Sequence, residues 1–144
     1  MEGCHACEMV EKGNAHNVII ENEYAIATAS DSFREGHCLV WIKRHIQTIS
    51  AMEKEEYDAA FELITKISKA LEEKYGARKT YLLVIGDGDK FQHLHFHLIP
   101  KHRYLPSMGV YCFQKLHEAE PQRQPSESQQ QELANNIKNL IESS

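Results

Sequence analysis

The stretch Gln92-His93-Leu94-His95-Phe96-His97-Leu98-Ile99-Pro100 sets three histidines at alternate positions. A β-strand alternates its faces, so the rings fall on one side, about 6.6 Å apart, with Leu94, Phe96 and Leu98 on the other. A solvated strand face that happens to be rich in histidine is the bland reading. Three titratable rings backed by an apolar face are poor filler, so the stretch reads as a site. Two arrangements satisfy it. All three rings hold one catalytic metal, or one ring joins a separate metal cluster and the next stays free as nucleophile or acid.

Cys4 and Cys7 bear on that choice, because two thiolates supply half of a tetrahedral zinc shell and need about two imidazoles to close it. His93 is the candidate third ligand and His45 the candidate fourth. The rival for such a pair is redox chemistry, which belongs after a strand in a βαβ unit. This pair has no strand before it, which favours zinc. Cys38 and Cys112 lie in apolar surroundings and read as ordinary buried residues. His5, His16, His102 and His117 read as surface or satisfied histidines.

The elements that must hold these residues are short. Asn17 to Ala29 is two β-prone runs around Glu21-Asn22-Glu23, a hairpin, and His37 to Ile42 is a third strand leaving through Lys43-Arg44-His45. Ser50-Ala51-Met52-Glu53 has the spacing of a helix capping box. Tyr57, Phe61, Ile64, Ile67, Leu71 and Tyr75, with Leu63 flanking, recur at helical steps as far as a stop at Gly76. Thr80 to Ile85 is a fourth strand, Gly86-Asp87-Gly88-Asp89 a turn, and Phe91 to Ile99 a fifth strand. The turn is too short for a parallel crossover, so the class is α+β with an antiparallel sheet.

Pro121 to Gln131 holds five glutamines, two prolines and no large apolar residue, and reads as a mobile linker. Leu133, Ile137, Leu140 and Ile141 then form the stripe of a short C-terminal amphipathic helix, with Ser128 and Gln131 at cap spacing. The expected division is a domain over residues 1–118 and a linker plus helix over residues 119–144. The 144 residues carry a formal charge of -5, which speaks against a dominant nucleic-acid footprint or a polybasic membrane anchor. No apolar run reaches membrane-spanning length and the start does not read as a signal peptide, so the expected location is cytoplasmic.

His93-Leu94-His95-Phe96-His97-Leu98-Ile99 resembles the signature of the histidine triad (HIT) family, in which three histidines alternate with apolar residues. Gly36-His37-Cys38-Leu39-Val40 and Lys43-Arg44-His45-Ile46 are similar to the start and end of that family's upstream strand. The Cys4 and Cys7 pair is similar to that of its zinc-bearing branch. The resemblance runs from Cys4 to about Arg103.

It implies a HIT-like sheet with one long helix, commonly a homodimer, that cleaves nucleoside phosphate conjugates at the α-phosphate through a nucleotidyl-histidine. His95 would be the nucleophile, with His97 and His37 near the phosphate or the leaving-group oxygen. Structural Zn2+ would sit on Cys4, Cys7, His45 and His93, fixing the strand that carries the nucleophile. Transferring relatives usually have Gln at the place of His97, so the third histidine favours hydrolysis. Family members commonly have a proline at the place of Ile42 and an arginine at that of Lys101. Where hydrolase relatives carry Asn and Ser or Thr, this chain has Ile85-Gly86 and Lys90, which makes Gly86 and Lys90 the candidate substrate contacts. The acidic residue that often holds a ribose has its nearest counterpart in Thr28-Ala29-Ser30-Asp31. The reading from a different class is a zinc-stabilised nucleotide-binding or interaction module with little turnover.

Overall fold

The structure, a computed structural model, describes residues 2–13, 15–86, 92–104 and 123–144. Five strands form one antiparallel sheet in the order β1-β2-β3-β5-β4: β1 Val18–Glu21, β2 Ala25–Ala29, β3 Cys38–Ile42, β4 Thr80–Leu83 and β5 His95–Pro100. Among the described residues three α-helices accompany it: α1 His5–Lys12, α2 Lys54–Tyr75 and α3 Glu127–Glu142. The α+β reading therefore stands.

Alternation decides what each face does. Ala25, Ala27 and Ala29 of β2, Cys38, Val40 and Ile42 of β3, and Phe96 and Leu98 of β5 are buried against Leu63, Ile67 and Leu71 of α2 and Leu133 and Ile137 of α3. The opposite face carries Thr28, Leu39, Trp41, His95 and His97. The pairing register sets Trp41 beside His95 and Leu39 beside His97. One sheet thus has a packed back and a chemically furnished front.

The fifth strand is shorter than its sequence suggests, because its ladder begins at His95. Leu94 still bonds across, its N–H to the Ile46 carbonyl at 2.7 Å and its carbonyl to the Ile42 N–H at 3.3 Å, so His93 is held although it precedes the ladder. Phe91 lies outside the described residues.

The start of α2 corrects the cap expected at Ser50. Residues Ile49–Ala51 form a 3-10 turn, and the Ser50 hydroxyl pairs with that of Thr48 at 3.0 Å. Glu53 is the N-cap instead, and the buried Glu56 carboxylate takes the Glu53 N–H at 2.9 Å. Arg44 donates to both Glu56 oxygens, at 2.7 and 3.0 Å, and holds that carboxyl below its ordinary titration range. The exit of β3, which carries His45, is thereby tied to the head of α2. Tyr57 and Phe61 are exposed, so the inward stripe is Ala60, Leu63, Ile64, Ile67 and Leu71. Gly76 ends the helix at φ 59°, the left-handed conformation glycine adopts without strain.

The cap of α3 also differs. Ser126 and Gln129 satisfy one another's backbone N–H groups, at 3.1 and 2.8 Å, two residues before the expected pair Ser128 and Gln131. Both pairs have capping-box spacing. The earlier one coincides with an anchor in which Arg123 bonds the Asp31 carboxylate at 2.8 Å and the Asp31 carbonyl at 3.0 Å. The helix accordingly begins inside the glutamine-rich stretch and packs on α2, β1 and β2 of its own chain. α1, absent from the sequence reading, follows Cys4 as its N-cap and ends at Gly13.

Candidate active site and metal centre

Cys4 and Cys7, at the N-cap and in the first turn of α1, meet His45 from the exit of β3 and His93 from the approach to β5. Their ligand atoms all lie within 4.8 Å of one another. His93 Nδ1 is 3.5 Å from each sulfur and 3.2 Å from His45 Nδ1, and His45 Nδ1 is 3.3 Å from Cys7 Sγ. A tetrahedral zinc with bonds of 2.0–2.3 Å has ligand-to-ligand edges of about 3.3–3.8 Å, so the cage has the right size and donor set. The far nitrogen of His93 faces the Ile42 carbonyl at 2.5 Å, which places the proton on Nε2 and leaves the Nδ1 lone pair for the cluster. The four donors fit a structural zinc that leaves no open position. His95 and His97 are not among them, which excludes a three-histidine metal cage here.

His95 has a different partner. Its Nδ1 lies 2.8 Å from the His93 carbonyl, an acceptor only, so Nδ1 carries the proton and the lone pair sits on Nε2. Its ring rests on Trp41, centroids 4.4 Å apart, and on the backbone of Gly86. A Cβ at Gly86, where φ is +101°, would stand 3.1 Å from His95 Cε1. Glycine lets the chain pass this close to the ring.

His37 and His97 form the next layer. The Phe33 N–H donates to His37 Nδ1 at 3.3 Å, so the His37 proton is on Nε2 and points at His97 Nδ1, 2.9 Å away. That leaves the His97 proton on Nε2, which is buried and has no hydrogen-bond partner among the described residues. Burial, with smaller contributions from the neighbouring rings, lowers His37 to about 3 and His97 to about 4. Both are neutral at pH 7. The pair leaves one N–H donor without a partner among the described residues, on a ring whose centroid is 4.8 Å from that of His95.

A cleft of about 430 Å³ opens on the same face, lined by apolar Met9, Leu39 and Trp41 and by polar His16, Asn17 and Gln130, among others. Trp41 lines the cleft and also stacks on His95, so the cleft lies next to the histidines. His5, which lines the cleft, and His16 had read as bystanders. The cleft draws on α1, the segment before β1, β2, β3 and α3, so no single sequence pattern exposes it. His102 is satisfied, donating to the Glu35 carbonyl at 2.8 Å, and Cys38 is buried, its thiol pushed up by that burial. The Asp31 carboxylate is committed to Arg123 and to the Gly36 N–H at 2.8 Å. Lys90, Cys112 and His117 lie outside the described residues.

The model of the HIT domain matches residues 11–104, most of the chain and all three alternating histidines. The chain belongs to the HIT family. Among solved structures it is similar to a zinc-bound histidine triad family protein from Mycobacterium smegmatis, with TM-score 0.71, 21% identity, and 98% of this chain and 94% of that one covered. It is also similar to a hypothetical histidine triad nucleotide-binding protein from Sulfolobus tokodaii, with TM-score 0.74, 20% identity and coverage of 97% and 93%. A third likeness is to the diadenosine triphosphate hydrolase of Plasmodium falciparum, with TM-score 0.70, 18% identity and coverage of 91% and 80%. At these identities the shared property is the fold. Comparison with curated proteins gives no match.

Proposed function

We propose that this HIT-family chain hydrolyses nucleoside phosphate conjugates, such as dinucleoside polyphosphates or nucleoside phosphoramidates, at the α-phosphate. The observation that carries the reading is the proton arrangement: His95 holds its proton against the His93 carbonyl and presents Nε2, while His97 presents an orphaned N–H beside it. A nucleophile with a fixed tautomer next to a fixed donor is what displacement at phosphorus needs.

His95 Nε2 forms a bond to the α-phosphorus as the bond from phosphorus to the leaving group breaks, the electron pair departing with that group. The leaving group takes a solvent proton, and the His97 N–H hydrogen-bonds the oxygen on which charge builds. The imidazolium so formed is stabilised by the His93 carbonyl at Nδ1. Water then attacks phosphorus, loses a proton to solvent, and His95 departs as the neutral ring it was. Zinc, when bound, supplies rigidity. It fixes His93, whose carbonyl aims the nucleophile two residues on. Gly86 contributes close backbone approach, and Lys90 is proposed as a phosphate contact.

The test is His95→Ala against adenosine 5′-phosphoramidate and diadenosine substrates, with mass detection of a nucleotidyl adduct on the native chain. Loss of turnover by at least about 1,000-fold with zinc still near one per chain is expected. Unchanged turnover ends the nucleophile assignment. Nucleotides that raise the melting temperature without any product would favour the binding-module reading, whose motive is Ile85-Gly86 and Lys90 where hydrolase relatives carry other residues.

A homodimer and a cytoplasmic setting complete the proposal. Among the described residues β4 is an edge strand with exposed Leu82, and exposed Val84 and Ile85 follow it. Tyr57 and Phe61 on α2 are exposed as well, and an open apolar edge is a natural seat for a second copy. No described helix is long and apolar enough to cross a membrane.

A further inference from the structure

The glutamine-rich stretch brings one of its residues to the cleft. Gln130, in the first turn of α3, lines the same cavity as Trp41 and lies 100 residues in sequence from the Ser30 carbonyl to which its amide donates at 2.9 Å. A carbonyl can only accept, so the amide nitrogen faces Ser30 and the flip is fixed. The Gln130 Oε1 then accepts from His16 Nε2 at 2.6 Å. A side-chain amide has two N–H donors and two lone pairs on oxygen. Among the described residues one of each is used, and one N–H and one lone pair remain.

That residual pair matches a ring edge that offers an amino donor beside a ring-nitrogen acceptor, the bidentate pattern by which glutamine reads an amino-substituted base. Gln130 is also preorganised. Its side chain is held by the Ser30 carbonyl and by His16, so little side-chain freedom is lost on contact. The apolar surface of Met9, Leu39 and Trp41 suits a flat heterocycle, and the Trp41 ring also lies 4.4 Å from that of His95, centroid to centroid.

We propose that Gln130, held by His16 and Ser30, is a specificity residue that reads the amino-bearing edge of the base in this cleft. The inference rests on the reading of the triad as a nucleotide site and adds to it the part of the substrate that the cleft selects.

The experiment compares 5′-phosphoramidates of adenosine and of purine riboside, which lacks the exocyclic amine, on the full zinc-loaded chain. Wild type should favour adenosine by about 10-fold or more in kcat/KM, chiefly through KM, and Gln130→Ala and Gln130→Met should bring the ratio close to one. Gln129→Ala, which weakens the cap of the same helix without touching the cleft, should lower the melting temperature and leave the ratio alone. The proposal is overturned by a wild-type ratio near one, by a ratio that Gln130→Ala leaves intact, or by an equal change in Gln129→Ala. If no conjugate is turned over, the hydrolase reading fails by itself. Gln130 is then judged on calorimetric affinities for the two monophosphates, where the same loss of discrimination supports it and its absence overturns it.

Discussion

His95 illustrates how much a side chain's chemistry depends on its second nitrogen. With the His93 carbonyl at Nδ1, the lone pair that the proposed nucleophile needs falls at Nε2, and Gly86 lets the backbone lie against the ring. Gly86→Ala puts a methyl group 3.1 Å from His95 Cε1 in a left-handed backbone, so the ring must shift. A loss of about 10-fold to 100-fold in kcat is expected, with a far smaller change in zinc content, read by steady-state kinetics beside metal analysis. His37 makes a separate prediction. Its folded value of about 3 lies below the ordinary 6.5, so the unfolded chain binds more protons between those values and stability falls as pH drops through that window. Urea midpoints measured from pH 7 to pH 4 should fall more steeply for wild type than for His37→Gln. Equal slopes would remove His37 as the source.

Elements matter here as handles for single residues. Glu56 caps α2 and receives Arg44, so one carboxylate links the long helix to the segment bearing His45. Glu56→Ala should cost about 1–2 kcal/mol from the lost cap, measured by denaturant unfolding, and should weaken zinc retention through His45. α1 depends on the metal more directly. Its buried residues are Ala6 and Met9 alone, and its first turn carries two of the four donors. Structural zinc contributes on the order of 10 kcal/mol to small domains. Chelation, or Cys4→Ser, should therefore free the amides of α1 to hydrogen exchange and lower the melting temperature, with turnover falling as the fold loosens. Full metal retention in Cys4→Ser would exclude that ligand.

At the scale of the whole molecule, the sheet separates two tasks. Its back is covered by α2 and α3, and its front is left to the histidines and the cleft. Among the described residues the ladder ends at β4, where Leu82 is exposed, as are Val84 and Ile85 after it. Placing charge there, as in Leu82→Asp with Ile85→Asp, should convert a dimer to a monomer by light scattering while each subunit stays folded. A wild-type chain that is already monomeric at working concentration would remove this interface from the proposal.

Strand alternation, the helical steps from Tyr57 to Tyr75 and the Cys4 and Cys7 spacing were enough to foretell the sheet, the long helix and the metal quartet, because each is a local pattern with a fixed period or a fixed ligand count. The capping boxes were legible only as alternatives. Ser50 and Ser128 obey the same spacing as the caps actually used, and partners distant in the chain, Arg44 for Glu56 and Asp31 for Arg123, coincide with the registers adopted. The cleft was not legible at all. Met9, Asn17, Trp41 and Gln130 share no period, and only the folding of one sheet between an N-terminal helix and a C-terminal one brings them to a common surface. Proton positions on the three rings belong to the same category, since each is set by a carbonyl, an amide or another ring that the fold alone delivers.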